Sequence, residues 1–493
     1  MIKNKNQVVF YAVSLFFIAL NIFTLEWTPL PWVDEIMLVD TPVNFVLDGE
    51  WQTTACMGDK NNEIHITYPP LYQFALVIWT WLFGVSPTAC RSLSVVLAFF
   101  ISLLIYRFMR DKSIIKNHYT LLLFLLLFWC GGMFSWIYRN GRVDILNMLC
   151  TTAFITGYYY NVKKWFLALF AFLIITSGIQ ACPYVLGIFI CIYFFQSNKK
   201  RTKTAIFMLI AGSLSGLLFM SVLFYLQGHL FAFYYRNFFF SGSFNNIISL
   251  LIPYIEKVIA LDPAIKEALN KPAILTTAPF FQRVLDAYVV NREYLILSAI
   301  NIIVYSGLLI KRKIIFNSLE TRLLFITIVI PLIMAVAGRF AGYYTWMCYI
   351  PAVVFMIYVV GKYGKQICIS AAYGLTTLLV VSLGLPKTLI NSDRDAYHKI
   401  KTFIQKQDFS DKDKIISPFM SYYVIRNITK TCYFTGVYPL ALVPDDTKYI
   451  LKAENDYGNE NMDKYIQYCE FEGKTVHPVD SLESPKMVLF LVE

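Results

Sequence analysis

Three carboxylic acids and a few arginines have the residue types and the spacing that a catalytic site would need. Asp34 and Glu35 stand side by side after the first apolar run, and Asp144 closely follows Arg142 further along the chain. A carboxylate can take the proton of an attacking hydroxyl, and an arginine can stabilise an anion as it departs. These residue types therefore predict acid–base chemistry on a substrate with an anionic leaving group.

The composition shows what kind of protein must hold these side chains. Of the 493 residues, 57% are hydrophobic and 15% are charged, and the mean hydropathy is +0.55. A soluble protein of this length would be far more polar, so we predict an all-α polytopic membrane protein. The net charge of +11 comes from basic residues spread over the loops between apolar runs, which membrane topology requires, so we predict no nucleic-acid partner.

Apolar runs that can cross about 30 Å of hydrocarbon recur along the chain and predict about eleven transmembrane helices. They lie at 8–25, 91–108, 119–137, 144–161, 165–181, 183–196, 204–226, 294–310, 321–338, 343–360 and 367–384. If the spans alternate, the Lys and Arg clusters fall on one side, which is then the cytoplasm. This predicts a multi-pass protein of the plasma (inner) membrane with a cytoplasmic N-terminus.

The segment 71–84 is apolar, but as a helix it is only about 20 Å long. If it crossed the membrane, most of the later basic clusters would move to the outside. We therefore predict a helix lying on the outer face, with a re-entrant hairpin as the alternative. The loops 26–90 and 227–293 then face outward, and aromatic residues around Arg236 predict a second interfacial element in the latter.

The chain changes character after residue 385, where charged residues become dense. Short β-like runs at 414–417 and 487–492 predict a small α/β extracytoplasmic domain over 386–493, following a transmembrane module over 1–385. With this topology Asp34, Glu35 and Asp144 share the outer surface. A disulfide between Cys432 and Cys469 is an open alternative for the tail.

The order of these features resembles the lipid-linked-sugar glycosyltransferases of the GT-C superfamily, in particular the protein mannosyltransferase and aminoarabinose transferase branch, family 39/83. The resemblance is strongest over about residues 1–165 and weaker afterwards. The motifs that carry it are the acid pair after the first span, Tyr68-Pro-Pro-Leu-Tyr72, Phe83-Gly84, Arg91-Ser-Leu-Ser94, Arg142-Val-Asp144 and the stretch from Arg339 to Pro351.

The resemblance implies roles for the acids. Asp34 matches the general base that acts on the acceptor, Glu35 matches its partner, and Asp144 matches the second outer-loop acid that helps to assemble the site. The residues themselves leave alternatives open, because an acid pair also suits the positive end of a helix dipole and Asp144 also suits a helix cap.

Cations and aromatic residues complete the predicted site. Arg142, Arg139 and Arg339 are assigned to the lipid phosphate, because arginine at the outer face opposes the usual topology preference; snorkelling is the alternative for Arg139. The substrate-binding candidates also include Tyr68, Tyr343 and Tyr344. Thr67 and Tyr68 stand where relatives have His or a Glu-Lys pair, so the resemblance assigns no metal contact at these two positions. A divalent cation held by Asp34, Asp144 and the lipid phosphate stays open.

The predicted reaction is transfer of a sugar from a polyprenyl-phosphate donor to a glycan, lipid or protein acceptor on the extracytoplasmic face, with inversion at the sugar carbon. Membrane lipids are the other expected partners. The alternatives are a polytopic transporter or flippase, or an envelope glycan protein of the O-antigen ligase or polymerase type. A transporter would favour acids at mid-span, and a ligase would lack an acid pair directly after the first span.

Overall fold

The computed structural model describes residues 2–55, 69–195, 199–234, 291–314, 318–337, 342–430, 432–434, 446–454 and 459–493, with isolated positions at 282, 285 and 289. The helices that coincide with predicted spans are α1 (Ile2–Thr24), α4 (Pro87–Asp111), α5 (His118–Cys130) with α6 (Gly132–Arg139), α7 (Asp144–Tyr160), α8 (Lys164–Ser177), α9 (Ala181–Phe195), α10 (Lys199–Leu226), α12 (Arg292–Ile310), α13 (Leu319–Ala337), α14 (Trp346–Tyr363) and α15 (Ile367–Leu383). Between them lie α2 (Val33–Asp48), α3 (Leu71–Phe83) and α11 (Leu230–Tyr234).

Helix length and composition establish a multi-pass membrane protein. Among the described residues, six helices are long and apolar enough to cross a membrane, and the bent pair α5 and α6 is a candidate for a seventh. Shorter apolar helices, among them α8 and α9, pack with these in one bundle. The total of about eleven spans stays a prediction.

The predicted span 119–137 is two helices rather than one. α5 ends at Cys130 and α6 begins at Gly132, and their axes differ by 51°. Two consecutive glycines favour such a break, and Glu293 stabilises it because its carboxylate accepts hydrogen bonds from the backbone N–H groups of Gly132 and Met133 at 2.7 and 3.3 Å. A carboxylate at the N-terminus of α6 also suits the helix dipole.

The helix α3 is separate from the long spans, as the sequence predicts. It is 13 residues long and packs against α2 and α4. Tyr72 shares a hydrogen bond with Ser94 at 3.1 Å, and the Trp79 indole donates to Ser92 at 2.9 Å. Its opposite face exposes apolar side chains, including 75% of Trp81, as lipid contact requires. Its depth in the membrane stays a prediction.

The C-terminal region contains a small α/β domain, as predicted. The short helix α16 (Leu385–Ile390) continues the last candidate span and packs against α15, α5 and α6. The helices of the domain are α17 (Ala396–Gln405), α18 (Tyr422–Arg426) and α19 (Asn459–Phe471), and its strands are β1 (Ile415–Ser417), β2 (Cys432–Phe434), β3 (Tyr449–Ala453), β4 (Val476–Glu483) and β5 (Lys486–Val492). The sheet order is β2-β1-β3-β5-β4. β1 is parallel to β2 and β3, whereas β5 is antiparallel to β3 and β4.

The two faces of this sheet bury different neighbours, because successive side chains of a strand point to opposite sides. Ile415 and Leu451 belong to the hydrophobic core that is continuous with the helical bundle. Ile416 and Ile450 instead form a second core with α19. This second core contains Cys469 as a free thiol, so the alternative of a disulfide to Cys432 is wrong.

Candidate active site

One arginine joins the two acids that the sequence analysis selected from distant parts of the chain. Arg142 Nη1 lies 2.6 Å from Asp34 Oδ2, and Arg142 Nε lies 2.7 Å from Asp144 Oδ2. The Arg142 side chain is fully buried and that of Asp144 is 8% exposed, whereas Asp34 keeps 32% of its side chain exposed. Asp34 is therefore the member of this Asp34–Arg142–Asp144 cluster that a substrate can reach.

Two tryptophans hold the Arg142 guanidinium in place. Its central carbon lies 5.8 Å from the ring centre of Trp32 and 5.5 Å from that of Trp136, within the range of cation–π attraction. The two indoles are in contact with each other, with ring centres 5.3 Å apart. This packing fixes the arginine, which in turn fixes the orientation of Asp34.

Local backbone structure brings the cluster together. Asp34 and Glu35 lie in the first turn of α2, directly after the extended residue Trp32, which makes no side-chain capping bond. Arg142 lies in the turn between α6 and α7, and Asp144 is the first residue of α7. Asp144 uses its carboxylate on Arg142, so capping of α7 does not account for its position.

Glu35 has a different environment from its neighbour Asp34. Its two carboxylate oxygens accept from Arg91 Nε at 2.8 Å and Arg91 Nη2 at 2.6 Å, and both side chains are fully buried. Arg91 Nη1 also donates to the carbonyl oxygens of Leu25 and Pro29 at 2.7 Å each. This two-pronged pair joins α2 to α4 and to the end of α1, which is a positioning function.

The C-terminal domain also contacts Glu35. The Tyr423 hydroxyl donates to Glu35 Oε1 at 2.9 Å, and the neighbouring Tyr422 hydroxyl donates to Asp40 Oδ1 at 2.6 Å. Arg426 binds Asn44 Oδ1 at 2.7 Å and also pairs with Asp48. Helix α18 thus contacts α2 through three side chains along its length.

Both tyrosines stay protonated at ordinary pH. Burial, aided by the nearby Cys90 and Glu35, raises the pKa of Tyr423 well above its usual value. Burial and the Asp40 carboxylate raise the pKa of Tyr422 in the same way. Each hydroxyl is therefore a permanent donor to its acid on α2.

Arg139 forms hydrogen bonds at the C-terminal end of α1. Its guanidinium donates to Asn21 Oδ1 at 2.8 Å, to Thr24 Oγ1 at 2.9 Å and to the Thr28 carbonyl oxygen at 2.9 Å. The side chain is buried, so snorkelling to the surface does not describe it. Its assignment to a lipid phosphate stays a prediction.

The remaining predicted residues differ in how far the structure describes them. Tyr344 is buried in the short 3₁₀ turn Gly342–Thr345 that precedes α14. Tyr68 and Arg339 lie outside the described residues, as does most of the predicted interfacial element around Arg236, and the side chain of Tyr343 is likewise outside them.

A metal ion held jointly by Asp34 and Asp144 does not fit this arrangement. The Arg142 guanidinium occupies the position between the two carboxylates and supplies the positive charge there. Within the described ranges, no group of three or more His, Cys, Asp or Glu side chains could hold a metal ion.

Sequence reasoning missed Trp136 and Tyr423, and it left Arg91 open between the acids and lipid headgroups. The structure pairs Arg91 with Glu35. Trp136 lies near a recognised motif, but its spacing does not reveal which group it contacts. Tyr423 lies 388 residues after Glu35 in the chain, and no local pattern predicts their contact. Only the packed fold brings these groups together.

An apolar helical bundle that gathers carboxylates and arginines at one end, beside a small α/β domain, defines the architecture of an integral-membrane protein. A solved structure of ArnT from Cupriavidus metallidurans, bound to undecaprenyl phosphate, is similar over 98% of this chain and 97% of that chain, with a TM-score of 0.53 and 11% identity. The apo oligosaccharyltransferase of Archaeoglobus fulgidus is similar over 91% of this chain and 69% of that chain, with a TM-score of 0.52 and 12% identity.

No protein-family model matches the sequence, and no curated protein sequence matches it. The structural similarity, at these low identities, establishes the fold, and it confirms the GT-C architecture that the motifs predicted.

Proposed function

We propose that this protein transfers a sugar from a polyprenyl-phosphate donor to an acceptor on the extracytoplasmic face of the plasma (inner) membrane, with Asp34 as the general base. The observation that carries the proposal is the partial exposure of Asp34 in a cluster whose other members are buried. The GT-C fold supports the reaction class, and the undecaprenyl phosphate bound to ArnT supports a polyprenyl-linked donor.

The geometry suits proton transfer from an acceptor hydroxyl. Arg142 holds Asp34 through Oδ2, and among the described contacts no hydrogen bond engages Oδ1. Asp144 shares the same guanidinium and fixes its orientation.

The proposed reaction is a direct displacement. The acceptor oxygen bonds to the sugar carbon while that carbon separates from the phosphate oxygen, so the electron pair leaves with the polyprenyl phosphate. Asp34 receives the proton of the acceptor hydroxyl. Attack opposite the leaving group inverts the sugar carbon. Arg339, Tyr68, Tyr343 and Tyr344 stay proposed contacts to the donor or the acceptor, and Arg142 and Arg139 stay the proposed cations near the phosphate.

A transporter is less consistent with the positions of the buried charges. Glu35, Glu293 and Glu320 each lie in the first turn of a helix rather than at mid-span. The described spans therefore do not show the mid-membrane acids that ion coupling uses.

A donor panel tests the proposal. Purified protein is incubated with polyprenyl-phosphate-linked sugars that differ only in the sugar, and release of polyprenyl phosphate is measured with and without membrane extract as the acceptor source. We expect acceptor-dependent consumption of at least one donor by the wild type and none by Asp34→Asn. Equal consumption by both proteins would contradict the role of Asp34, and failure of every donor would contradict the reaction class.

A further inference from the structure

A basic pocket lies at the end of α7 that is remote from the Asp34–Arg142–Asp144 cluster. It has a volume of about 330 Å³, and Lys164, Lys200 and Arg201 line it together with Tyr158, Asn161 and Thr204. No acidic residue is among the described residues that line it. Three cations therefore converge on one concave surface, and the described residues of its wall supply no carboxylate.

This pocket is separate from the proposed active site. Asp144 is the first residue of α7 and Tyr158 lies in its last turn, which separates them by about 21 Å along the helix axis. Such a distance is most of the thickness of the hydrocarbon layer. The basic pocket therefore belongs to the opposite membrane surface.

Helix electrostatics favour the binding of an anion in this pocket. Lys164 begins α8, and Lys200 and Arg201 lie in the first turn of α10. The N-terminus of a helix carries a partial positive charge, which favours acids and disfavours cations. The residue before α8, Lys163, provides no side-chain capping bond. An anion in the pocket would relieve both the repulsion among the cations and their conflict with the helix dipoles.

The wall of the pocket is held in a fixed conformation. The Arg201 guanidinium lies 4.7 Å from the centre of the Tyr158 ring and donates to the Tyr158 carbonyl oxygen. The Tyr158 hydroxyl shares a hydrogen bond of 2.9 Å with Thr202, and both of these side chains are buried. Lys164 and Lys200 are exposed, and among the described residues neither forms an ion pair.

The surroundings of the pocket indicate a lipid rather than a soluble anion. Trp165 follows Lys164 and is 56% exposed, and its ring stacks on the exposed ring of Phe166. Exposed tryptophan is typical of the headgroup level of a membrane. Leu169 exposes 40% of its surface one turn further along α8, where an acyl chain would lie. A phosphate at the pocket would thus have an apolar surface directly beside it.

We propose that the basic pocket binds the phosphate headgroup of an anionic phospholipid on the membrane face opposite the Asp34–Arg142–Asp144 cluster. The exposed Lys164 and Lys200 bind the phosphate oxygens, and Arg201, packed on Tyr158, forms the wall of the pocket. This inference does not depend on the glycosyl-transfer reaction.

Native mass spectrometry of the purified protein tests the proposal. The fraction of protein that retains dioleoyl phosphatidylglycerol is compared with the fraction that retains dioleoyl phosphatidylcholine, for the wild type and for Lys164→Gln/Lys200→Gln. One lysine near an anionic lipid changes its affinity about fivefold, so we expect the double variant to bind phosphatidylglycerol about 30-fold more weakly. The matched control is Lys311→Gln/Lys313→Gln, which removes two exposed lysines at the C-terminal end of α12.

Two results would overturn the proposal. One is equal retention of phosphatidylglycerol by the wild type and both variants. The lysines would then only determine the orientation of the protein in the membrane and would not bind a lipid. The other is a result with inorganic phosphate added at constant ionic strength. If phosphate displaces no lipid, but raises the melting temperature of the wild type and not that of Lys164→Gln/Lys200→Gln, the ligand of the pocket is a soluble anion. Matching elution profiles in size-exclusion chromatography show that all variants fold.

Discussion

Neighbouring acids have opposite environments at the start of α2. Asp34 keeps 32% of its side chain exposed, whereas Glu35 is fully buried against Arg91. A buried ion pair is held by geometry and contributes little net stability, but a single charge left behind in the interior is costly. This difference supports the proposal that Asp34 receives the proton and that Glu35 has a positioning role, whereas the sequence predicted a catalytic role for both.

The Glu35–Arg91 pair gives a prediction at this scale. Arg91→Met leaves the Glu35 carboxylate buried without its cation, and we expect it to lower the free energy of unfolding by about 3–5 kcal/mol. Arg91→Met/Glu35→Gln removes both charges and recovers most of that loss. Unfolding in mixed detergent and SDS micelles measures both values. A double variant as unstable as the single one would contradict a charge-pair role.

Sequence reasoning identified the acids of the cluster but not their partners. Asp34 and Asp144 are recognisable because acids at a membrane surface are costly and occur in an ordered set of motifs. The assignment of Arg142 to a lipid phosphate stays a proposal, and the structure adds that its guanidinium lies between the two acids. A residue type states what a side chain can bind, and only packing decides which of several anions it meets.

At the scale of elements, α18 of the C-terminal domain contacts α2, the helix that carries Asp34. Tyr423 binds Glu35, Tyr422 binds Asp40, and Arg426 binds Asn44 and Asp48. These contacts limit rotation and translation of α2. The domain therefore helps to position α2 and is not only an appended unit.

Removal of the Tyr423 hydroxyl tests this coupling. A hydrogen bond to a charged group contributes about 1.5–3 kcal/mol, so we expect Tyr423→Phe to lower kcat about tenfold while the KM for the donor changes little. The exposed Tyr468→Phe on α19 is the matched control. Unchanged kcat in Tyr423→Phe would show that α18 does not position the catalytic acid.

The pH dependence of this contact follows from the raised pKa of Tyr423. Because the folded-state pKa exceeds the unfolded value of about 10, the stabilisation is fully present below that value and is lost only as the pH rises through the folded-state pKa. We therefore expect the ratio of wild-type to Tyr423→Phe activity to be constant from pH 6 to pH 9.

Close helix packing gives a second prediction at the scale of elements. A Cβ atom on Gly212 of α10 would lie 2.7 Å from Ala171 Cβ of α8 and still closer to the Ala168 carbonyl oxygen. We expect Gly212→Val to lower the free energy of unfolding by about 1–3 kcal/mol or more, because the helices must separate. Thermal inactivation in detergent measures it.

Gly307 of α12 provides the control, because a Cβ atom there would meet no atom within 4 Å. Gly307→Ala should leave the melting temperature unchanged or raise it, since alanine favours helix more than glycine. If both substitutions had the same effect, the approach of α8 and α10 would not be the cause.

Most helices were predictable because a membrane span must satisfy length and apolarity at once. The separate helix α3 was also predictable from its 13 residues. The break after α5 was not, although Gly131-Gly132 is visible in the sequence, because the stabilising carboxylate of Glu293 comes from a distant part of the chain. The contact between α18 and α2 is non-local in the same way.

At the scale of the whole molecule, the two ends of α7 carry opposite kinds of site. One end holds acids around Arg142, and the other holds the basic pocket. The distribution of Lys and Arg predicts that the basic end faces the cytoplasm. The protein would then perform its chemistry on one membrane surface and bind anionic lipid at the other.

Cysteine labelling tests this orientation. In a background with Cys56, Cys368 and Cys432 changed to Ser, Glu50→Cys and Lys313→Cys are each treated in intact cells with a membrane-impermeant maleimide. We expect rapid labelling of the first variant, near α2, and labelling of the second only after the cells are opened. The reverse pattern would place the acid cluster in the cytoplasm and contradict the proposed reaction.

The most direct test of the account is a single-turnover comparison of the wild type with Asp34→Asn, in which sugar transfer and donor binding are measured on the same samples. Loss of the general base should slow transfer by at least about 100-fold, while the polyprenyl-phosphate donor binds within twofold of the wild type. The exposed Glu50→Gln, which affects a surface ion pair with Lys430 and a hydrogen bond from Gln52, should behave as the wild type. Transfer by Asp34→Asn at the wild-type rate would contradict the assignment of Asp34 as the base.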